Sequence, residues 1–116
     1  MNFQEKNKIM KDTKDLFINS YPEGCIKITK QESEIHARVK LQVAYWLKQN
    51  DFKVYSEPNF KGYGRPDLVC LKNQHNYVIE IINSEKDKSI ELKKDKYPIP
   101  LIVVNCKDFK YEAFKL

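Results

Sequence analysis

Two apolar runs, "DLVCL" at 67–71 and "YVIEII" at 77–82, constrain this chain more than any other feature, because each carries a carboxylate. "YVIEII" is apolar at both parities, the pattern of a strand buried on both faces in the middle of a sheet. A charge in such a strand costs several kcal/mol unless something binds it. Side chains alternate along a strand, so Asp67, Val69 and Leu71 share a face, as do Val78, Glu80 and Ile82. If the runs pair as a hairpin across "KNQHN", Asp67 at the start of one meets Glu80 near the end of the other. Neighbouring carboxylates repel and raise the pKa of one of them, unless a divalent cation lies between. Hard oxygen ligands at strand ends suit Mg²⁺ or Mn²⁺ rather than zinc, and those ions serve phosphate chemistry. Two plainer readings stay open: Asp67 after Pro66 as a turn cap, and Glu80 as one solvated position on an edge strand.

The rest of the chain supplies an α/β frame. Phe3, Ile9, Leu16 and Phe17 among charges predict an amphipathic helix over 3–19, "YPEG" a turn, and "CIKITK" a short strand. From Ser33 a second helix is expected, with Ile35, Val39, Val43, Trp46 and Leu47 on one apolar face and Asn50 and Asp51 at its end. "FKVYSEPNF" reads as a strand to Glu57, stopped by Pro58, and "KGYGRP" as a turn or hairpin tip. Residues 84–96 are highly charged, with Ile90 and Leu92 marking a short helix; "PIPLIVVN" is a last buried strand and "YEAFKL" a small terminal element. The order is α, short β, α, β, β, β, α, β. A chain of 116 residues is one domain on length. It divides into an N-terminal helix and short strand (1–30), a core (31–105) and a C-terminal element (106–116).

Composition excludes several classes. Hydrophobic content of 41% with 32% charged residues describes a globular chain rather than a disordered one. No apolar run approaches the roughly 18 to 20 residues of a membrane helix. "MNFQEKNKIMKDTKD" is charged where a signal peptide is apolar, so no export and a cytoplasmic location are expected. Cys25, Cys70 and Cys106 lack metal-ligand spacing, and an odd count argues against a disulfide framework; Cys70 reads as a small buried hydrophobe. The net charge of +5 permits an anionic partner, although lysines scattered over a soluble surface explain it equally. Only Arg38 and Arg65 are arginines. Lysine suits phosphate backbones and reads bases poorly, so any nucleic acid would be held by backbone and shape.

Taken in order, the motifs of residues 36–105 resemble the PD-(D/E)XK nuclease superfamily, whose core is a helix, three strands, a helix and a fourth strand. Pro66-Asp67 is similar to its PD half and Glu80 to the acid of its (D/E)XK half. More narrowly the pattern resembles the CoiA-like competence nucleases, through His36 and Lys40 four apart, Glu57, Arg65-Pro66-Asp67, and Glu80 to Ser84. "KKDKYPIPLIVV" matches the basic residues and "YP" that precede their last hydrophobic strand. RecB-type nucleases also place a His on the helix before the strands, as a metal ligand. The resemblance implies a restriction-endonuclease-like fold: a mixed four-stranded sheet flanked by helices. It implies Mg²⁺- or Mn²⁺-dependent hydrolysis of a DNA phosphodiester, with Asp67, Glu80 and the carbonyl of Ile81 on the metal and His36 assisting. Glu57 is either a third acidic ligand or a solvated strand end. DNA is the implied partner, with no membrane, and a homodimer is one way for so small a nuclease to reach two strands.

One position departs from the pattern. Two residues after the acid the superfamily has Lys and the CoiA-like branch Gln; here it is Ile82, which can neither orient water nor stabilise a pentavalent phosphorane. Either the role has moved, to Lys40 on the helix or to Lys86, Lys88, Lys93 or Lys94, or catalysis is lost. The alternative function is therefore an inactive nucleic-acid-binding or assembly module, and a third reading is a domain with no nucleic-acid role. Tyr97 is expected to pack, or else to contact phosphate; Trp46 belongs to the core and His75 receives no role.

Overall fold

The computed structural model describes residues 17–18, 21–60, 64–73, 75–83 and 97–116. Its long helix, α1 (Glu34–Gln49), starts where a helix should, because the Ser33 side chain accepts from the His36 backbone N–H and Glu34 lies in the first turn. It ends at Asn50, and Asp51 then takes a left-handed conformation (φ 67°) that turns the chain into the sheet. The strands are β1 (Phe17–Ile18), β2 (Lys53–Ser56), β3 (Asn59–Phe60), β4 (Leu68–Leu71), β5 (Tyr77–Ile82) and β6 (Leu101–Asn105), followed by a 3₁₀ turn at Tyr111–Ala113. Four of them form one open mixed sheet in the order β2-β4-β5-β6, with β2, β4 and β5 antiparallel and β6 parallel to β5. The fold is a mixed α/β domain with one long helix among the described residues.

β5 has neighbours on both sides and is buried on both faces, which is why its sequence is apolar at both parities. Toward the helix, Val39, Val43, Ala44 and Leu47 of α1 pack on Val54, Leu68, Cys70, Ile79, Ile81 and Val104. Trp46 borders this core and meets Phe114 edge-on, with ring centroids 5.1 Å apart. On the other face Tyr55, Val69, Leu71, Val78 and Ile99 form a second apolar cluster. Cys70 is buried, as expected of a small hydrophobe, and burial pushes its thiol up to about 12. No described helix is long and apolar enough to cross a membrane.

Two expectations fail at the N-terminal end. Phe17–Ile18 lies in a strand paired with Asn59–Phe60, not in a helix over 3–19; residues 3–16 and 19 of that span lie outside the described residues. Local periodicity yields there to a long-range pairing. "CIKITK" is irregular rather than a strand. Two bonds tie this segment to β2, from the Gly24 amide to the Val54 carbonyl (2.8 Å) and from the Lys27 amide to Ser56 Oγ (2.8 Å). The second ends on a side chain, so no ladder forms. The short helix expected within 84–96 lies outside the described residues.

Candidate functional site

The site is built where β4 begins, β5 ends and α1 starts. The pairing of β4 with β5 sets Leu68 opposite Ile79 and Val69 opposite Val78, so one further step sets Asp67 opposite Glu80. The hairpin expected from sequence forms, with Asp67 just before β4 and Glu80 within β5 at the same end of the sheet.

The backbone of Ile81 explains how the site stays open. Along β5, Val78 N–H donates to the Pro100 carbonyl (2.9 Å) and the Ile82 carbonyl accepts from Cys106 N–H (2.8 Å), so these residues serve the β6 side. The alternate residues, Ile79 and Ile81, therefore turn their polar groups toward β4. Two steps along from the Leu68–Ile79 pair, Ile81 should meet residue 66, which is proline and has no N–H to give. The Asp67 side chain takes over half of the missing pairing, its Oδ2 accepting from Ile81 N–H at 2.7 Å. The Ile81 carbonyl is left for His36, whose Nε2 lies 2.9 Å from it and 3.5 Å from Asp67 Oδ2.

The His36 ring is held from its other side too. Nδ1 lies 2.7 Å from Glu32 Oε2, a residue absent from the sequence-derived set. Both ring nitrogens thus face groups that only accept, whereas a neutral imidazole has a single N–H. Either the ring donates from both nitrogens, or its Nε2 lone pair shares a cation with the Ile81 oxygen and Asp67. The spacing suits the second arrangement, since octahedral Mg²⁺ with ligands at 2.0–2.1 Å sets neighbouring donors about 3 Å apart. Among the described residues no group of three or more His, Cys, Asp or Glu side chains is placed to hold a metal by itself. Any cation here would need the backbone oxygen and water, as Mg²⁺ usually does.

Glu32 also organises Lys40, one turn beyond His36. Lys40 is fully buried, and its Nζ donates to Glu32 Oε1 at 2.6 Å and lies 4.0 Å from Glu57 Oε2. The amine therefore faces two carboxylates. Burial opposes ionisation of Glu32, but hydrogen bonds from Lys40, the Thr29 backbone N–H and His36 outweigh it and bring its carboxyl down to about 2. Glu57 precedes Pro58 with φ 45°, although a residue before proline is ordinarily extended. Such a conformation costs about 1–3 kcal/mol and persists where surroundings impose it. Here the Glu57 amide donates to the Asp67 carbonyl (3.0 Å), while its buried Oε2 has no hydrogen-bond partner among the described residues.

Glu80 is buried and accepts from the Tyr97 hydroxyl at 2.8 Å. Burial, then the charge of Glu80 and more weakly that of Asp67, push the Tyr97 phenol well above its usual range, so it stays a donor. Tyr97 thus stands beside both acids. Ile82 is buried, and Lys86, Lys88, Lys93 and Lys94 lie outside the described residues. Beside His36 a concavity of about 330 Å³ opens, lined by Thr29, Gln31, Glu32, Ser33, His36 and Asn83.

Fold and site together define a small α/β domain with acids and one histidine gathered at the strand ends. A family model described as "Competence protein CoiA, nuclease-like domain" matches residues 32–97, more than half of the chain, and the chain belongs to that family. The match begins at Glu32 and ends at Tyr97, the two residues that flank the cluster. No curated protein and no solved structure matches the chain.

Proposed function

We propose that this protein is a metal-dependent nuclease with a restriction-endonuclease-like core, hydrolysing DNA phosphodiester bonds with little regard to sequence. The observation that carries the reading is the convergence of His36 Nε2, the Ile81 carbonyl and Asp67 Oδ2 within 2.9–3.5 Å, with Glu80 in the next cross-strand position. Asp67, Glu80, the Ile81 carbonyl and His36 would hold Mg²⁺ or Mn²⁺, with Glu57 behind them. A bound ion of this kind polarises the phosphoryl oxygen and makes water a better nucleophile at neutral pH.

The chain's own residues do the rest. Asp67 fixes the end of β5 by its bond to Ile81 N–H and thereby aims the carbonyl. Tyr97, still protonated, holds Glu80 in one orientation. Lys40, with its amine on Glu32, enters as a support of the cluster. The net charge of +5 draws the phosphate backbone, and lysine contacts make binding fall steeply with salt.

Ile82 favours a second reading, in which the domain binds nucleic acid without cutting it: an apolar, buried side chain stands where a polar group would meet the attacked phosphate. Incubating native protein and Asp67→Ala with supercoiled, branched and single-stranded DNA, each with Mg²⁺ or Mn²⁺, separates the two. Nicking by native protein that Asp67→Ala abolishes supports the nuclease. Salt-sensitive binding without cleavage of any substrate by either metal replaces it with the binding module.

A further inference from the structure

We infer that Glu32 is a positioning residue for His36, and that Lys40 works through Glu32 rather than on substrate; the inference rests on the metal-site reading above and deepens it. Glu32, His36 and Lys40 are spaced by four, so one face carries all three across the start of α1, with Glu32 just outside the helix. Each oxygen of Glu32 has its own task. Oε2 lies 2.7 Å from His36 Nδ1, and Oε1 accepts from Lys40 Nζ (2.6 Å) and from the Thr29 amide (2.9 Å).

An acceptor on Nδ1 keeps the proton on that nitrogen. With a cation bound, Nε2 would then offer its lone pair beside the Ile81 oxygen and Asp67, which lie 2.9 and 3.5 Å from it. A carboxylate on the far nitrogen of a ligating histidine both orients the ring and raises its donor strength, and its loss typically costs about 10- to 100-fold in metal affinity. Lys40 completes the device from below. Its side chain is only 1% exposed, so the amine cannot reach a phosphate in the cleft, and its bond pins Glu32 in the rotamer that meets the ring.

Mn²⁺ titration of the full chain, followed by electron paramagnetic resonance, tests this together with ¹⁵N spectra of the His36 ring in metal-free and Mg²⁺-loaded protein. Native protein should keep its ring proton on Nδ1. Glu32→Gln should weaken Mn²⁺ binding about 10- to 100-fold and disperse the ring between tautomers. Lys40→Met should weaken binding less, and the double variant should be no worse than Glu32→Gln alone, because both changes act through one carboxylate. Unchanged Mn²⁺ affinity and ring spectrum in folded Glu32→Gln would overturn the inference. So would additive losses in the double variant, which would give Lys40 an independent role. If native protein binds no Mn²⁺, the metal reading fails by itself. The metal-free ring spectrum still decides the positioning claim, since loss of the Nδ1 proton signature in Glu32→Gln upholds it and its persistence sinks it.

Discussion

The two faces of the sheet solve the problem of a buried charge differently. Toward α1, the Glu32 carboxylate joins Lys40 and His36 at the border of the apolar core, at 2.6 and 2.7 Å. On the other face Glu80 is buried and accepts a hydrogen bond from the neutral phenol of Tyr97. The first arrangement is closed on itself, an amine and a ring nitrogen sharing one carboxylate. The second is open only in the sense that the donor from Tyr97 to its carboxylate is uncharged. A shared carboxylate braces one face, and a hydrogen bond from a neutral group restrains the carboxylate of the other.

The largest expected effect comes from opening the closed side. Lys40→Ala leaves a cavity and takes the cation from the half-buried Glu32 and Glu57, and should destabilise the fold by about 2–4 kcal/mol in urea unfolding. Lys40→Met, which fills the space, should cost clearly less. If the two cost the same, the amine is not what holds this side together.

Next comes the loss of function without loss of fold. Asp67→Ala removes the clasp on Ile81 N–H and one acid, and should cut the rate of DNA nicking by about 10²- to 10³-fold or more while thermal unfolding moves little. A variant that unfolds early instead would place Asp67 with the structural network and erase the contrast between the faces.

Acid should find the closed side first. The Glu32 carboxyl is held at about 2 in the fold against 4.5 for an unperturbed glutamate, so the unfolded chain binds the proton more readily. Its contribution is therefore complete above pH about 4.5 and is lost as pH falls toward 2. The melting temperature should decline across that window, and Glu32→Gln should flatten the decline. The smallest effect belongs to the open side: Tyr97→Phe removes one hydrogen bond to Glu80 and should cost about 1 kcal/mol. A loss approaching that of Lys40→Ala would mean that the two faces are braced alike.

What could be read from sequence follows from how local each signal is. The limits of α1, the central position of β5 and the β4–β5 hairpin that carries Asp67 and Glu80 at one end rest on capping, alternation and a short connection, all written within a few residues. Glu32 was missed because it precedes the helix cap, where helical periodicity is not sought; extending the His36–Lys40 spacing back by one turn would have found it. The importance of the Ile81 carbonyl came with the resemblance. Its physical reason, an absent proline N–H across the ladder, needed the register of two strands. The strand at Phe17–Ile18 pairs with residues some forty positions away, which no local pattern of Leu16 and Phe17 discloses.

The parallel pairing of β5 with β6 also sets an order of assembly. β4 and β5 are joined by the short connection 72–76, so closing that hairpin costs little chain entropy, and the bond from Ile81 N–H to Asp67 can form with it. β6 runs in the same direction as β5 and must return from residue 83 to 101 before a single rung of that ladder forms. Tyr97 arrives on that return. The half of the site that aims the carbonyl is thus encoded in a fast local event, while the half that restrains Glu80 waits on a longer loop to close.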